Sequence, residues 1–170
     1  VSVASLARRR ADRSKNLVGF TIDDVHYAVD IFRVREIINP LQIVPLPHAP
    51  PTVLGVADHR GDVVPVLDVR RRFGLASVAP TRRTKWIVVE LGERLVGLVV
   101  DSVTDVFGAS EPDQRSVPEI GVGDAARGIA AVYSYRGRLV FVLDVDRVAA
   151  IAEVLDLGAM QSLVGTGERT

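Results

Sequence analysis

Cysteine is absent from the 170 residues, and methionine and tryptophan occur once each. Without thiols there is no disulfide framework, no thiolate metal site and no cysteine nucleophile. The absence fits a reducing compartment, and a cytoplasmic protein is expected. Charge of one sign is missing as well: 21 Lys+Arg balance 21 Asp+Glu. No overall field draws such a chain to nucleic acid or to an anionic membrane, so neither is an expected partner. No apolar run approaches the roughly 18 residues that suggest a membrane-spanning helix. The opening "VSVASLARRRADRSK" lacks the continuous hydrophobic centre of a secretion signal, so direct membrane insertion is not expected. Aromatic residues are sparse at 5%, and none lies between the arginines of "ARRR" (7–10) or "VRRRF" (69–73), which read as solvated faces.

What is present is a repeat. "RGDVVPVLDV" (60–69) returns as "RGRLVFVLDV" (136–145), identical at seven of ten positions and 76 residues on. Upstream, residues 18–31 alternate in period two on either side of Asp23-Asp24, and residues 86–100 do so around Gly92-Glu93. Both patterns predict a β-hairpin. A shift of 69 lays these segments on each other and aligns Val34 with Val103 and Glu36 with Asp105. The shift grows from 69 to 76 because the second half carries seven more residues in its connection, within the Gly/Pro-containing stretch 108–128. With 48% of residues apolar, the chain has the composition of a folded domain.

The repeated phrase reads as a strand, apolar on both faces and therefore covered on both sides. Val63, Pro65 and Leu67 alternate with Val64, Val66 and Asp68, and the Arg-Gly pair before each copy suits a turn. Pro65 cannot donate to a ladder, which predicts a sheet edge or bulge there. Two halves rich in short strands imply a mainly β fold of two small barrels packed together. Short helices are predicted from Pro51, with Thr52 in the first turn, and over "VRRRFG", stopped by Gly74. A C-terminal helix is expected over 144–157. The expected organisation is a flexible segment 1–16, a folded unit 17–157 with halves at about 17–83 and 84–150, and a flexible tail 158–170.

Catalytic motifs are missing: no G-x-S-x-G, no Walker loop, no dinucleotide-binding fingerprint. His26, His48 and His59 are scattered and have no zinc-like spacing, so no metal or other cofactor is expected. Asp68 and Asp144 are repeated carboxylates that read as local caps at strand ends rather than as an acid/base pair. A non-enzyme is expected.

"GVADHRGDVVPVLDVRRRFGL" (55–75) resembles the signature of CheW-type coupling proteins of bacterial chemosensory arrays, a pattern near G-V-x-N-L-R-G-x-x-[VL]-P-[VI]-[VIL]-D-L-R-x-x-[FL]-G. The resemblance extends through "YAVDIFRVREI" (27–37), "PLPHAPPTVLGV" (45–56), "LVGLVVDSVTDV" (95–106) and "VFVLDVDRV" (140–148). It implies two five-stranded SH3-like barrels sharing a hydrophobic seam, and an adaptor without chemistry. One surface would hold the regulatory domain of a CheA-type histidine kinase, another the cytoplasmic tip of a chemoreceptor. The kinase domain is a paralogue of this fold, which implies assembly into rings.

Residue by residue, Arg60 matches the signature arginine, and Val34 and Glu36 match the V-x-E of the first half. A helical receptor tip would lie against Val34, Val99 and Val103, with Arg60 and Glu36 setting its orientation. Gly55 and Gly61 read as backbone requirements. The chain departs from the pattern at Asp58-His59, where Asn-Leu is usual. Asp58 is expected to interact with Arg60 and compete with a receptor carboxylate, and His59 to make binding pH-sensitive. Three other readings stay open: a domain of a larger kinase or coupling-receiver protein, a paralogue that binds kinase without receptor, and a small β-barrel enzyme or ligand binder using Asp68, Asp144 and a histidine.

Overall fold

The computed structural model describes residues 15–110, 113–117 and 128–150. In chain order, β1 (Lys15–Ile22) and β2 (Val25–Asp30) form a hairpin turning at Asp23-Asp24. A 3-10 turn (Ile31–Arg33) leads to β3 (Val34–Ile38), then β4 (Val53–His59), β5 (Asp62–Asp68) and the one-turn helix α1 (Val69–Arg72). The second half repeats this order. β6 (Lys85–Leu91) and β7 (Arg94–Val100) turn at Gly92-Glu93. They are followed by β8 (Ser102–Ala109), the two-residue β9 (Gln114–Arg115), β10 (Ile129–Tyr135), β11 (Arg138–Leu143) and α2 (Val145–Val148).

The fold is mainly β and consists of two sheets, ordered β8-β1-β2-β11-β10-β9 and β3-β6-β7-β5-β4. Neither sheet is one contiguous half of the repeat. The β1–β2 hairpin is inserted between β8 and β11 of the second half, and the β6–β7 hairpin between β3 and β5 of the first. The joints are the parallel pairs β2·β11 and β5·β7, and their registers coincide: Val142↔Ala28 repeats Val66↔Gly97. An isolated hairpin cannot bury its apolar faces, so each half completes its hairpin with the other half's strands.

This exchange places the main core between the sheets. Val18, Phe20, Ile22, Tyr27 and Val29 from one sheet meet Leu67, Ile87, Val89, Leu98 and Val100 from the other. Tyr27 stands in an aromatic chain, its ring 5.9 Å from Phe20, 5.0 Å from Phe73 and 6.0 Å from Phe141. The opposite face of each sheet holds a smaller cluster: Leu17, Ala28, Phe107, Tyr133, Val140 and Val142 in one, Ala57, Val66 and Trp86 in the other. The repeated strands are thus covered on both faces, except at their mouths, where Val63 and Leu139 are exposed.

Several local expectations fail for identifiable reasons. No helix starts at Pro51; the segment is β4, with alternating burial from Val53. Its hydrophobics were better read in period two than by the proline before them. Pro65 is not at an edge, because β5 lies between β4 and β7. The ladder to β7 begins only at Val66, so the missing N–H falls just before it. β1 begins at Lys15, inside the segment expected to be flexible, and Asn16 is buried. The single turn at 69–72 forms as expected and ends before Gly74, which has φ +80°. Of the C-terminal helix, Val145–Val148 form one turn capped by Asp144 and Ala149, and residues 151–157 lie outside the described residues.

Candidate functional site

The β4–β5 hairpin turns on two residues, Arg60 (φ +55°) and Gly61 (φ +88°), between the paired His59 and Asp62. Two consecutive positive φ values characterise the turn that suits a tight hairpin, because its twist matches that of the strands. Asp58 supports it, its Oδ1 accepting from the Gly61 N–H at 2.8 Å. The expected Asp58–Arg60 interaction therefore gives way to a turn-forming bond. Arginine is an unusual occupant of a left-handed position, and the turn projects its side chain into solvent, 75% exposed.

Arg60 instead pairs with Glu36, Nη2 donating to Oε1 at 2.8 Å. Glu36 Oε2 lies 3.2 Å from His59 Nε2, and the histidine side chain is only 10% exposed. β3 and β4 are the outermost strands of their sheet. Glu36 thus ties the two edges of a curled sheet, and its position follows from a register shift in β3 between Val34 and Glu36. This cluster joins Glu36, Asp58, His59 and Arg60 in space, as proximity in the signature suggested only for the last three.

The valines do not share this placement. Val34 is buried in the main core, and Val103 packs against the same core from the other sheet. Val99 sits elsewhere, partly buried beside Ala57, Val66 and Trp86. The histidines stay apart: His26 lies in β2 with its Nε2 3.0 Å from Arg138 Nη1, and His48 lies between β3 and β4. Asp68 and Asp144 cap helices, accepting from the N–H groups of Arg70 and of Asp146 and Arg147.

A second cluster of the same design was missed from the sequence. Asp105, the repeat partner of Glu36, accepts from the Tyr135 hydroxyl at 2.9 Å and lies 3.9 Å from Arg136 Nη2. Arg136 and Gly137 have φ of +51° and +72°, as in the first turn. The Arg136 guanidinium lies 5.2 Å from the Tyr135 ring centroid, and that ring stacks on Phe107 at 4.0 Å. Reading the 76-residue shift one position upstream of Arg60 aligns His59 with Tyr135 and exposes the pair of triads. Each triad comprises a carboxylate, a ring side chain and an arginine held on a left-handed turn. Such a group presents charge and shape at the surface. An exposed guanidinium already oriented by one carboxylate presents its remaining N–H donors to another.

The CheW-like domain family model matches residues 16–153. The chain is 34% identical over 149 residues to the Chemotaxis protein CheW of Rhizobium meliloti (strain 1021), covering 86% of this chain and 94% of that protein. It is 30% identical over 147 residues to the Chemotaxis protein CheW of Helicobacter pylori (strain ATCC 700392 / 26695), covering 85% and 88%. A crystal structure of the scaffolding protein TtCheW from Thermoanaerobacter tengcongensis matches with a TM-score of 0.71 at 26% identity, over 78% of this chain and 90% of that one. The family model spans most of the chain and the fold agrees with it, so the chain belongs to the CheW-like domain family.

Proposed function

We propose that the chain is a non-enzymatic adaptor that couples chemoreceptors to a CheA-type histidine kinase in a bacterial chemosensory array. It works in the cytoplasm and reaches the membrane only through its receptor partners. The observation that carries this reading is the Arg60 turn: an exposed arginine in a left-handed backbone position, steadied by Glu36 and seated within the family signature. An exposed non-glycine residue held in such a conformation by its surroundings points to recognition. In this reading Arg60 meets a carboxylate on the helical receptor tip, and a separate surface takes the kinase regulatory domain, allowing rings to form.

The test is a pair of calorimetric titrations at pH 7.5 with the whole chain. One uses the regulatory domain of the kinase encoded in the same genome, the other a soluble receptor-tip fragment. Binding to both, with the receptor arm weakened by about tenfold or more in Arg60→Glu, is the expected result. Binding to the kinase domain alone would identify a paralogue without receptor contact. Binding to neither would overturn the adaptor reading.

A further inference from the structure

Glu36 has two carboxylate oxygens, and the chain occupies both. Oε1 takes the exposed Arg60 and Oε2 faces the buried His59. A partner can reach the arginine but not the imidazole, so His59 influences binding through the carboxylate. Among the described residues, the charged groups placed about the imidazole come from β3 and from its own hairpin. Glu36 faces it from β3, and on its own hairpin stand Asp58, committed to the Gly61 N–H, the cross-strand Asp62, and Arg60.

We infer that His59 is a proton-sensitive positioning residue, which acts through Glu36 to set how firmly Arg60 is held and how strongly it meets an acidic partner. With a neutral imidazole, the 3.2 Å contact of His59 Nε2 with Glu36 Oε2 carries no net charge, and Glu36 spends its own on Arg60. With an imidazolium, the contact becomes an ion pair and the carboxylate is shared between two cations. Arg60 is then held less tightly and repelled by the new charge, and the cluster as a whole is one unit more positive. Both effects favour a partner carboxylate.

The second triad supplies an internal comparison. Tyr135 fills the place of His59, and its hydroxyl donates to Asp105 Oδ2 at 2.9 Å. The chain therefore carries one triad built on an imidazole and a copy built on a phenol, and His59→Tyr transfers the residue of the copy into the first.

This inference rests on the reading of Arg60 as a receptor contact, and the experiment separates the two. The receptor-tip fragment is titrated against the whole chain from about pH 8 to pH 5.5. Wild type should bind about three- to fivefold more tightly at the acid end, the scale of one added charge near a surface pair. His59→Tyr should bind with no such slope; if it fails to fold, His59→Gln takes its place. A flat wild-type profile, or a slope retained in the variant, would overturn the inference. A second readout needs no partner: the Arg60 guanidinium NMR signal of the whole chain should follow His59 protonation in wild type and cease to do so in Glu36→Gln. If the fragment binds at no pH, the receptor reading fails. The NMR measurement then still decides the coupling, and an Arg60 signal indifferent to His59 would overturn it.

Discussion

Arg70 and Asp146 occupy the same position of the internal repeat, 76 residues apart, with opposite charge, and each pairs with the other half's strand corner. Arg70 Nη1 donates to Asp101 Oδ2 at 2.6 Å, between β7 and β8, and its Nη2 reaches Asp23 at 3.1 Å. Asp146 Oδ1 accepts from Arg33 Nη2 at 2.6 Å, between β2 and β3. The repeat has kept the joint and reversed its polarity. Arg72 completes the seam, donating to the carbonyls of Arg147 and Val148 and so joining α1 to α2.

The two joints differ in depth, and their energies should differ accordingly. The Arg70 side chain is 14% exposed and that of Asp146 is 60% exposed. Arg70→Ala leaves Asp101 without its cation and removes a donor from the Ala76 carbonyl. A loss of about 2–4 kcal/mol is expected by urea unfolding. Asp146→Ala should cost well under half of that, because an exposed pair is screened by solvent. Equal losses would show that depth does not set the strength of these joints.

The Arg33–Asp146 joint also has a defined pH signature. Hydrogen bonds from Arg33 hold the Asp146 carboxyl below its usual range, and the same bond raises Arg33. A carboxyl depressed on folding contributes stability above its unfolded value, near pH 4, and loses it as pH falls through the folded value. The melting temperature of wild type should exceed that of Asp146→Asn by a small margin at neutral pH. The margin should close as pH is lowered below about 4. A gap that persists under strong acid would mean that the carboxylate charge is not its source.

The two repeated aspartates should separate by burial. Asp68 is buried, accepts from Arg70 N–H and forms a short hydrogen bond with the Ser77 hydroxyl. Among the described residues, the side-chain bonds of Asp144 are local, to the Asp146 and Arg147 N–H groups and the neighbouring Arg147 side chain. Asp144→Ala should cost about 0.5–1 kcal/mol as a lost cap, and Asp68→Ala about 2 kcal/mol or more, since it also strands Ser77. Asparagine at either position should recover most of the cap. Urea midpoints of the four variants test this ordering.

Gly55 and Gly61 make opposite demands. A Cβ on Gly55 would lie 2.2 Å from the Val44 carbonyl oxygen, which bonds the Val56 N–H across the isolated bridge. Gly55→Ala must break that bridge, at a cost of about 2–4 kcal/mol. A Cβ on Gly61 would meet nothing within 4 Å, and only its φ of +88° opposes alanine. Gly61→Ala should cost about 1–2 kcal/mol. The expected result is a much larger fall in melting temperature for Gly55→Ala.

Much of this was legible before any coordinates. Period-two runs around Asp23-Asp24 and Gly92-Glu93 located both hairpins, because a strand's alternation is a local property. The Arg-Gly turns, the capping aspartates and the Gly74 stop were local too, and the duplicated phrase marked the repeat. Pro51 misled because a proline suits a helix start and a strand entry equally well. Of the candidate site, the signature delivered Asp58, His59 and Arg60 by adjacency and Glu36 by resemblance.

By itself, then, the sequence determined the elements, the duplication and the family, since these reside in spacing and residue type along the chain. The tertiary structure decided which strands lie side by side. Exchange of the hairpins placed β1–β2 among the second half's strands and joined corners of one half to helices of the other. It also brought the edges β3 and β4 together, turning Glu36 from a residue with a familiar neighbour pattern into the carboxylate shared by a buried histidine and an exposed arginine. Those relations span 23 to 113 residues of chain. Burying both faces of each sheet at once settled them, and no local pattern encodes that requirement.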